Sequence, residues 1–309
     1  MQKISVKVPG SIMLMGEHAV LFGEKALACA VDKYITVSLI PEPDNQIHVH
    51  SVLAEYHSDL AQLTEEPRLT FVLAAIEHLK PDLPSGFTLK IEAEFSHTVG
   101  LGSSAAVTAG VVAALSVYSR LSVDRHSLFA RSLEIVHKVQ GGRGSGTDLV
   151  ASIFGSFVSY RVAPREITAL EGLPPISLFY VGYKTRTPDV LKIVEGLSQR
   201  NPEIYTQLYK LMGQVTQRAE LAVLEQDWKK LGLLMNNYQG LMDALGVSDR
   251  NISELVYTLR ESNLIDGVKI SGSGLGDCVL ALGADPDIKT DYQQIPVAIA
   301  PQGVTIEID

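Results

Sequence analysis

Between Phe87 and Tyr118 the chain reads as a one-sided strand, a glycine loop and an alanine-rich helix, and no other stretch constrains the fold as much. In "FTLKIEAEF", Phe87, Leu89, Ile91, Ala93 and Phe95 alternate with Thr88, Lys90, Glu92 and Glu94, the two-residue period of a half-buried strand. "SSAAVTAGVVAALSVYSRL" has helical composition, with Ser103 or Ser104 available to cap its first turn. The loop between them lies within "HTVGLGSSAAV", residues 97 to 107, where Gly100 and Gly102 leave the backbone free to take positive φ and let a ligand come close. A helix beginning there directs unpaired N–H groups and partial positive charge outward, which suits an anion.

The loop by itself is equally compatible with a ligand-free turn. It lacks the Gly-Lys-Ser/Thr ending of a Walker nucleotide clamp. Gly100, Gly102 and Ala105 also fit the G-x-G-x-x-A pattern of dinucleotide-binding folds, with Asp124 downstream. That pattern requires a first strand buried on both faces, whereas "FTLKIEAEF" is polar at every second residue and Asp124 sits in a helix linker. The dinucleotide reading is therefore set aside.

Around this unit, "QKISVKV" alternates and is broken by Pro9 and Gly10, so a strand is expected to deliver "SIMLMGEHAVLFG" to a turn. "ALACAVDKYITVSLI" reads as strand, "LTFVLAAIEHL" (Leu69 to Leu79) as helix, "HSLFARSLEIVHKV" as an amphipathic helix and "IFGSFVSYRV" as strand. "QGGRGSGTD" is too glycine-rich for regular structure. Turn chemistry in "APREITALEGLPP" puts a domain boundary near residue 165, giving units of 1–165 and 166–309. The second half opens with strand "ISLFYVGY", continues as a helical region from Pro202 to Leu245 and helix "ISELVYTLRESN", and ends in "GVKISGSGLGDCVLALG", a second glycine loop between strands.

Bulk properties exclude several functions. The 309 residues carry 26 Lys plus Arg against 35 Asp plus Glu, a formal charge of −9, and no basic run offers a footprint for nucleic acid or anionic lipid. Cys29 and Cys278 give neither a disulfide framework nor zinc spacing and are expected as buried small residues in a reducing compartment. The longest apolar stretch, "AAVTAGVVAALSVY", is too short to span a bilayer, so the expectation is a cytoplasmic protein without membrane or nucleic-acid partners.

Taken together, "PGSIMLMGEHAVLFG" at Pro9 to Gly23, "VGLGSSAA" and "SGSGLGDCVLALG" at Ser271 to Gly283 resemble the three ordered motifs of the GHMP small-molecule kinases, and "GEHAVLFG" looks most like the mevalonate kinases. The resemblance implies a two-domain α+β fold: a ribosomal protein S5 domain 2-like N-terminal domain with a left-handed βαβ crossover, and a ferredoxin-like C-terminal domain. It implies ATP and Mg²⁺, and transfer of phosphate to the primary hydroxyl of mevalonate, a step toward isopentenyl diphosphate. Phosphomevalonate kinase, a sugar kinase, or a catalytically silent ligand sensor on the same fold are the alternatives. A homodimer or a monomer is expected, since dimers are common among relatives.

The resemblance also assigns residues. Asp148 in "GSGTD" matches the catalytic aspartate and touches substrate; taken alone it would read as a helix cap. Gly100, Leu101, Gly102, Ser103, Ser104 and Ala105 would hold the triphosphate, with Gly272, Gly274 and Gly276 of the third motif approaching the nucleotide. Ser104 matches a hydroxyl ligand to Mg²⁺, and Glu134 is a weaker candidate for the second metal ligand. Glu17 and His18 would line the substrate pocket, and Lys184, Arg186 and Thr187 in "YKTRTPDV" would approach it. Mevalonate kinases normally carry lysine after the first Pro-Gly, where it stabilises charge on the attacking oxygen. Here Ser11 occupies that catalytic position, which leaves the charge to Arg143 or Lys184. The loop lacks the usual preceding proline, and "GSGLGDC" in place of "GAGGGGC" leans toward phosphomevalonate kinases.

Overall fold

A computed structural model describes residues 3–96, 99–142 and 144–309. The first sheet is built from β1 (Ile4–Met15), β2 (Ala26–Pro41), β3 (Gln46–Ser51), β4 (Glu55–Asp59), β5 (Phe87–Ala93), β6 (Phe157–Arg161) and β7 (Glu166–Leu170), with α1 (Thr70–Leu79), α2 (Ser103–Tyr118), α3 (Arg125–Gln140) and α4 (Thr147–Phe154) between them. The second half comprises β8 (Ile176–Lys184), α5 (Thr187–Arg200), α6 (Pro202–Leu224), α7 (Trp228–Leu245), α8 (Arg250–Arg260), β9 (Ile265–Ser271), β10 (Gly276–Gly283), β11 (Gln293–Ile295) and β12 (Thr305–Ile308).

The first sheet runs β12-β1-β2-β5-β3-β4, with β6 and β7 attached to the start of β2. β3 and β5 are parallel, joined by a crossover through β4 and α1, while the other pairs are antiparallel. Four helices cover this sheet around a core of Val6, Val8, Val37, Leu89, Ala109 and Val112. The small residues of α2 set its distance from the strands: a Cβ on Gly110 would sit 2.8 Å from Val37 and 3.3 Å from Val8. Close contact on nearly every side explains why this helix has no polar face to show.

The second sheet has the order β11-β8-β10-β9, antiparallel throughout. That is the ferredoxin-like arrangement, except that residues 284–292, where a second crossover helix would lie, are irregular. Its core continues without a break into the first unit through Ile12, Leu14, Leu27 and Leu101. The expected boundary at residue 165 falls in the turn of the β6–β7 hairpin, and β12 returns to pair with β1. Following the sheets, the division lies between Leu170 and Ile176, with the C-terminal strand handed back to the first unit.

One expected element limit is corrected, and one expected region resolves into two elements. Pro9 and Gly10 do not end β1, which passes them through a register shift against β2 and continues to Met15; a bulge absorbs the missing proline donor. The helical region from Pro202 to Leu245 is two helices, interrupted at Gln226 in a left-handed conformation and restarted by Asp227, whose side chain accepts from the Lys230 amide. Cys29 and Cys278 are free and buried, as expected. Among the described residues no helix is long and apolar enough to cross a membrane.

Candidate active site

The continuation of β1 past Pro9 builds the site. Where the strand runs beside the glycine loop, Ser11 N–H donates to the Leu101 carbonyl at 3.0 Å, and a Cβ on Gly10 would lie 2.9 Å from that same oxygen. This close approach brings the fully buried Ser11 under Asp148, in the first turn of α4, and its hydroxyl donates to Asp148 Oδ1 at 2.8 Å. Gly102, at φ 65°, closes the group: a Cβ there would collide with Ser11 Oγ and lie 3.3 Å from Asp148 Oδ1. The phosphate-loop candidate, the base candidate and Ser11 are thus in van der Waals contact.

Gly102 and Asp148 line a cleft of about 820 Å³ that also takes in Ser103, Ser104, Ala105, Glu17, His18, Lys184, Thr187, Gly272 and Asp277. At its head α2 begins with Gly102 as N-cap and no side-chain cap, so neither Ser103 nor Ser104 spends its hydroxyl there. The first intrahelical bond is Ala106 N–H to the Gly102 carbonyl, which leaves the amides of Ser103, Ser104 and Ala105 as the helix's own unpaired donors. Ser104 is exposed to the cleft. The Gly100 amide is used differently from expectation: it donates to Asp277 Oδ1 at 2.9 Å.

Asp148 sits at the floor of the cleft, reached by solvent through the mouth but surrounded by protein on its other sides. That enclosure raises its pKa above the ordinary aspartate value, the Asp277 charge adds to the effect, and the Ser11 hydrogen bond and the Lys184 charge oppose it.

At the other end of the cleft, Glu17 and His18 form the turn after β1. Glu17 is buried against an equally buried lysine of β9, Lys269, with Nζ to Oε1 at 2.5 Å. Desolvation opposes charge on both; their contact counters it. Tyr238 of α7 fixes the same turn, its hydroxyl accepting from Gly16 N–H at 2.9 Å and donating to the Glu17 carbonyl at 3.2 Å. His18, held at φ 60°, has Nε2 2.9 Å from the Ser273 carbonyl, so Nε2 carries the hydrogen. Burial lowers its pKa, and the neutral ring presents Nδ1 as an acceptor without a partner among the described residues. Glu17 Oε2 is likewise unpartnered.

Several expected site residues lie elsewhere. Leu101 points into the core and contributes only its backbone. Gly274 packs against Val247, whose carbonyl a Cβ would approach to 2.5 Å, and does not line the cleft. Glu134 is on the outer face of α3, 3.5 Å from His78; Val136, Val139 and Gln140 face the cleft, roughly half a turn away on the helix. Arg186 is exposed and faces Asp189. Gly276 underlies Tyr183 and Lys184 at the start of β10. Arg143 lies outside the described residues, as do His97 and Thr98 of the loop. Asp124 caps α3 through the Ser127 amide, a structural role. Sequence reasoning missed Lys269, although a lysine directly between the apolar Val268 and Ile270 was a legible signal.

Among the described residues no three His, Cys, Asp or Glu side chains converge as a metal cage. Mg²⁺ carried by a nucleotide needs only one or two protein ligands, and the cleft-exposed Ser104, whose hydroxyl is not spent on the helix cap, suits one of them.

The model of the GHMP kinases N terminal domain matches residues 70–156, and that of the GHMP kinases C terminal domain matches residues 219–291. The chain belongs to the GHMP kinase family. This GHMP kinase is 30% identical over 302 residues to the mevalonate kinase of Pyrococcus furiosus, covering 91% of this chain and 89% of that one. In fold it is similar to the Lin0012 protein of Listeria innocua, with a TM-score of 0.86, 21% identity and 99% of each chain covered. It is also similar to the Methanococcus jannaschii mevalonate kinase, with a TM-score of 0.80, 18% identity and 96% and 98% covered. As a GHMP kinase it uses ATP to phosphorylate a small molecule.

Proposed function

We propose that this GHMP kinase transfers the γ-phosphoryl group of ATP to the primary C5 hydroxyl of mevalonate, giving 5-phosphomevalonate and ADP. The observation that carries the reading is the Asp148 carboxylate, held by Ser11 against the start of α2. Phosphoryl transfer asks the protein mainly to align the two oxygens and balance charge. The amides of Ser103, Ser104 and Ala105 and the positive end of α2 bind the phosphates. Ser11 occupies Asp148 Oδ1, so Oδ2 remains free to accept the hydroxyl proton as the new O–P bond forms and the bond to the departing ADP oxygen breaks.

Lys184, whose charge reaches Asp148, balances charge on the phosphates. Ser104 would hold the Mg²⁺ that accompanies the nucleotide, which would supply charge neutralisation on the phosphates. His18, Glu17, Gly272 and Thr187 line the part of the pocket where the acceptor binds.

Phosphomevalonate carries a further dianion and calls for several cations facing it. Among the described residues lining the cleft, Lys184 is the sole lysine or arginine, which supports the uncharged alcohol end of mevalonate as acceptor. ADP release measured with mevalonate, phosphomevalonate and galactose tests the choice. The highest kcat/KM is expected with mevalonate; preference for either other acceptor rejects it, and nucleotide binding without turnover on any of them would favour a sensor.

A further inference from the structure

Asp277 is out of place by two physical criteria. It adopts φ 69°, a left-handed conformation that is uncommon outside glycine. It also puts a negative charge against a loop whose unpaired amides suit an anion, which weakens phosphate binding unless the charge is put to use.

The geometry shows that use. Asp277 lies in a bulge between Gly276, paired with Lys184 of β8, and Cys278, paired with Tyr180, and the bulge turns its side chain toward the cleft. Oδ1 accepts from the Gly100 amide at 2.9 Å, and Oδ2 lies 2.8 Å from Lys184 Nζ. The contact with the loop is tight, since a Cβ on Gly100 would collide with both carboxylate oxygens. One carboxylate thus joins the glycine loop of the first unit to the end of β8 in the second, and it holds the sole cation of the described cleft lining, near enough to Asp148 for their charges to interact. A free lysine on a four-carbon stem would spread over many rotamers; ion pairing restricts it to one place.

We propose that Asp277 is a positioning residue, which anchors the Gly100 segment and presents the Lys184 ammonium to the transferring phosphoryl group. Asp277 does not touch the reacting atoms; it acts through Lys184 and the loop. The inference rests on the kinase reading above.

Three variants separate the two contacts. Asp277→Asn keeps an oxygen for the Gly100 amide but removes the charge that holds Lys184. Asp277→Gly removes both while suiting the left-handed backbone, and its melting curve checks that the variant is folded. Lys184→Met removes the cation. With the parent enzyme's best acceptor, Asp277→Asn and Lys184→Met are each expected to lower kcat about ten- to hundredfold, the size of a lost charge-assisted contact. ADP affinity by calorimetry should stay near the parent's in Asp277→Asn and weaken in Asp277→Gly.

The double variant Asp277→Asn/Lys184→Met should be no slower than Lys184→Met alone, a coupling that a purely structural role would not produce. Full kcat in Asp277→Asn, or multiplicative losses in the double variant, would overturn the proposal. A parent inactive on every acceptor would instead overturn the kinase reading, while the calorimetric contrast between Asp277→Asn and Asp277→Gly would still test the loop anchor.

Discussion

Ser11 and Asp148 are 137 residues apart in sequence and 2.8 Å apart in space, the hydroxyl of one donating to the carboxylate of the other. Ser11 is fully buried and its backbone is tied to Leu101, so its hydroxyl is fixed while the Asp148 side chain faces the open cleft. The relationship makes Ser11 the orienting partner of the base.

Replacing Ser11 by alanine is therefore expected to lower kcat by about ten- to hundredfold, the range for losing a hydrogen bond to a charged group, with little change in the KM for ATP. Steady-state kinetics with both substrates varied checks the split. A rise in the KM for ATP at unchanged kcat would show that Ser11 serves the phosphate loop instead.

The rate should fall on the acid side. A base works only when deprotonated, and enclosure raises the Asp148 pKa, so kcat/KM declines as pH falls through a value above the usual aspartate range. The Ser11 hydrogen bond lowers that pKa, so in Ser11→Ala the acid limb should move to higher pH. An acid limb at the same pH in both enzymes would contradict the assignment of that limb to Asp148.

Much of this arrangement was legible in the sequence and part of it was not. The β5–loop–α2 unit was readable because period two gives way to a small-residue helix at Gly100 and Gly102, and a local pattern of that kind needs no distant partner. The limit at Pro9 was misjudged because a bulge carries the chain past a residue that elsewhere ends a strand. Glu134 was the nearest acid on a helix whose cleft-facing side carries none, so composition could not reveal which face turned inward. The partnerships Lys269–Glu17 and Asp277–Gly100 join residues 252 and 177 positions apart, and only the packing of the two units creates them.

Gly102→Ala is expected to disable nucleotide binding. The new Cβ meets Ser11 Oγ and demands a positive φ that alanine resists, which together cost about 1–3 kcal/mol of local strain. Calorimetry with ADP checks this, and near-parental affinity would show that the loop can move away from Ser11 without loss.

Removing one partner of the Glu17–Lys269 pair should destabilise the fold strongly, since both side chains are almost fully buried. Lys269→Met leaves an uncompensated carboxylate and is expected to cost about 3–5 kcal/mol in urea denaturation. Glu17→Gln/Lys269→Met should recover part of that loss. Additive losses in the double variant would mean that the two groups do not act as a pair.

The most direct measurement is single-turnover formation of phosphomevalonate from mevalonate and ATP by the parent enzyme and by Asp148→Asn. A general base of this kind contributes about 10²–10⁴-fold, so the variant should bind ADP like the parent yet form product slower by that factor. Equal rates in the two enzymes, or no product from the parent, would contradict the account.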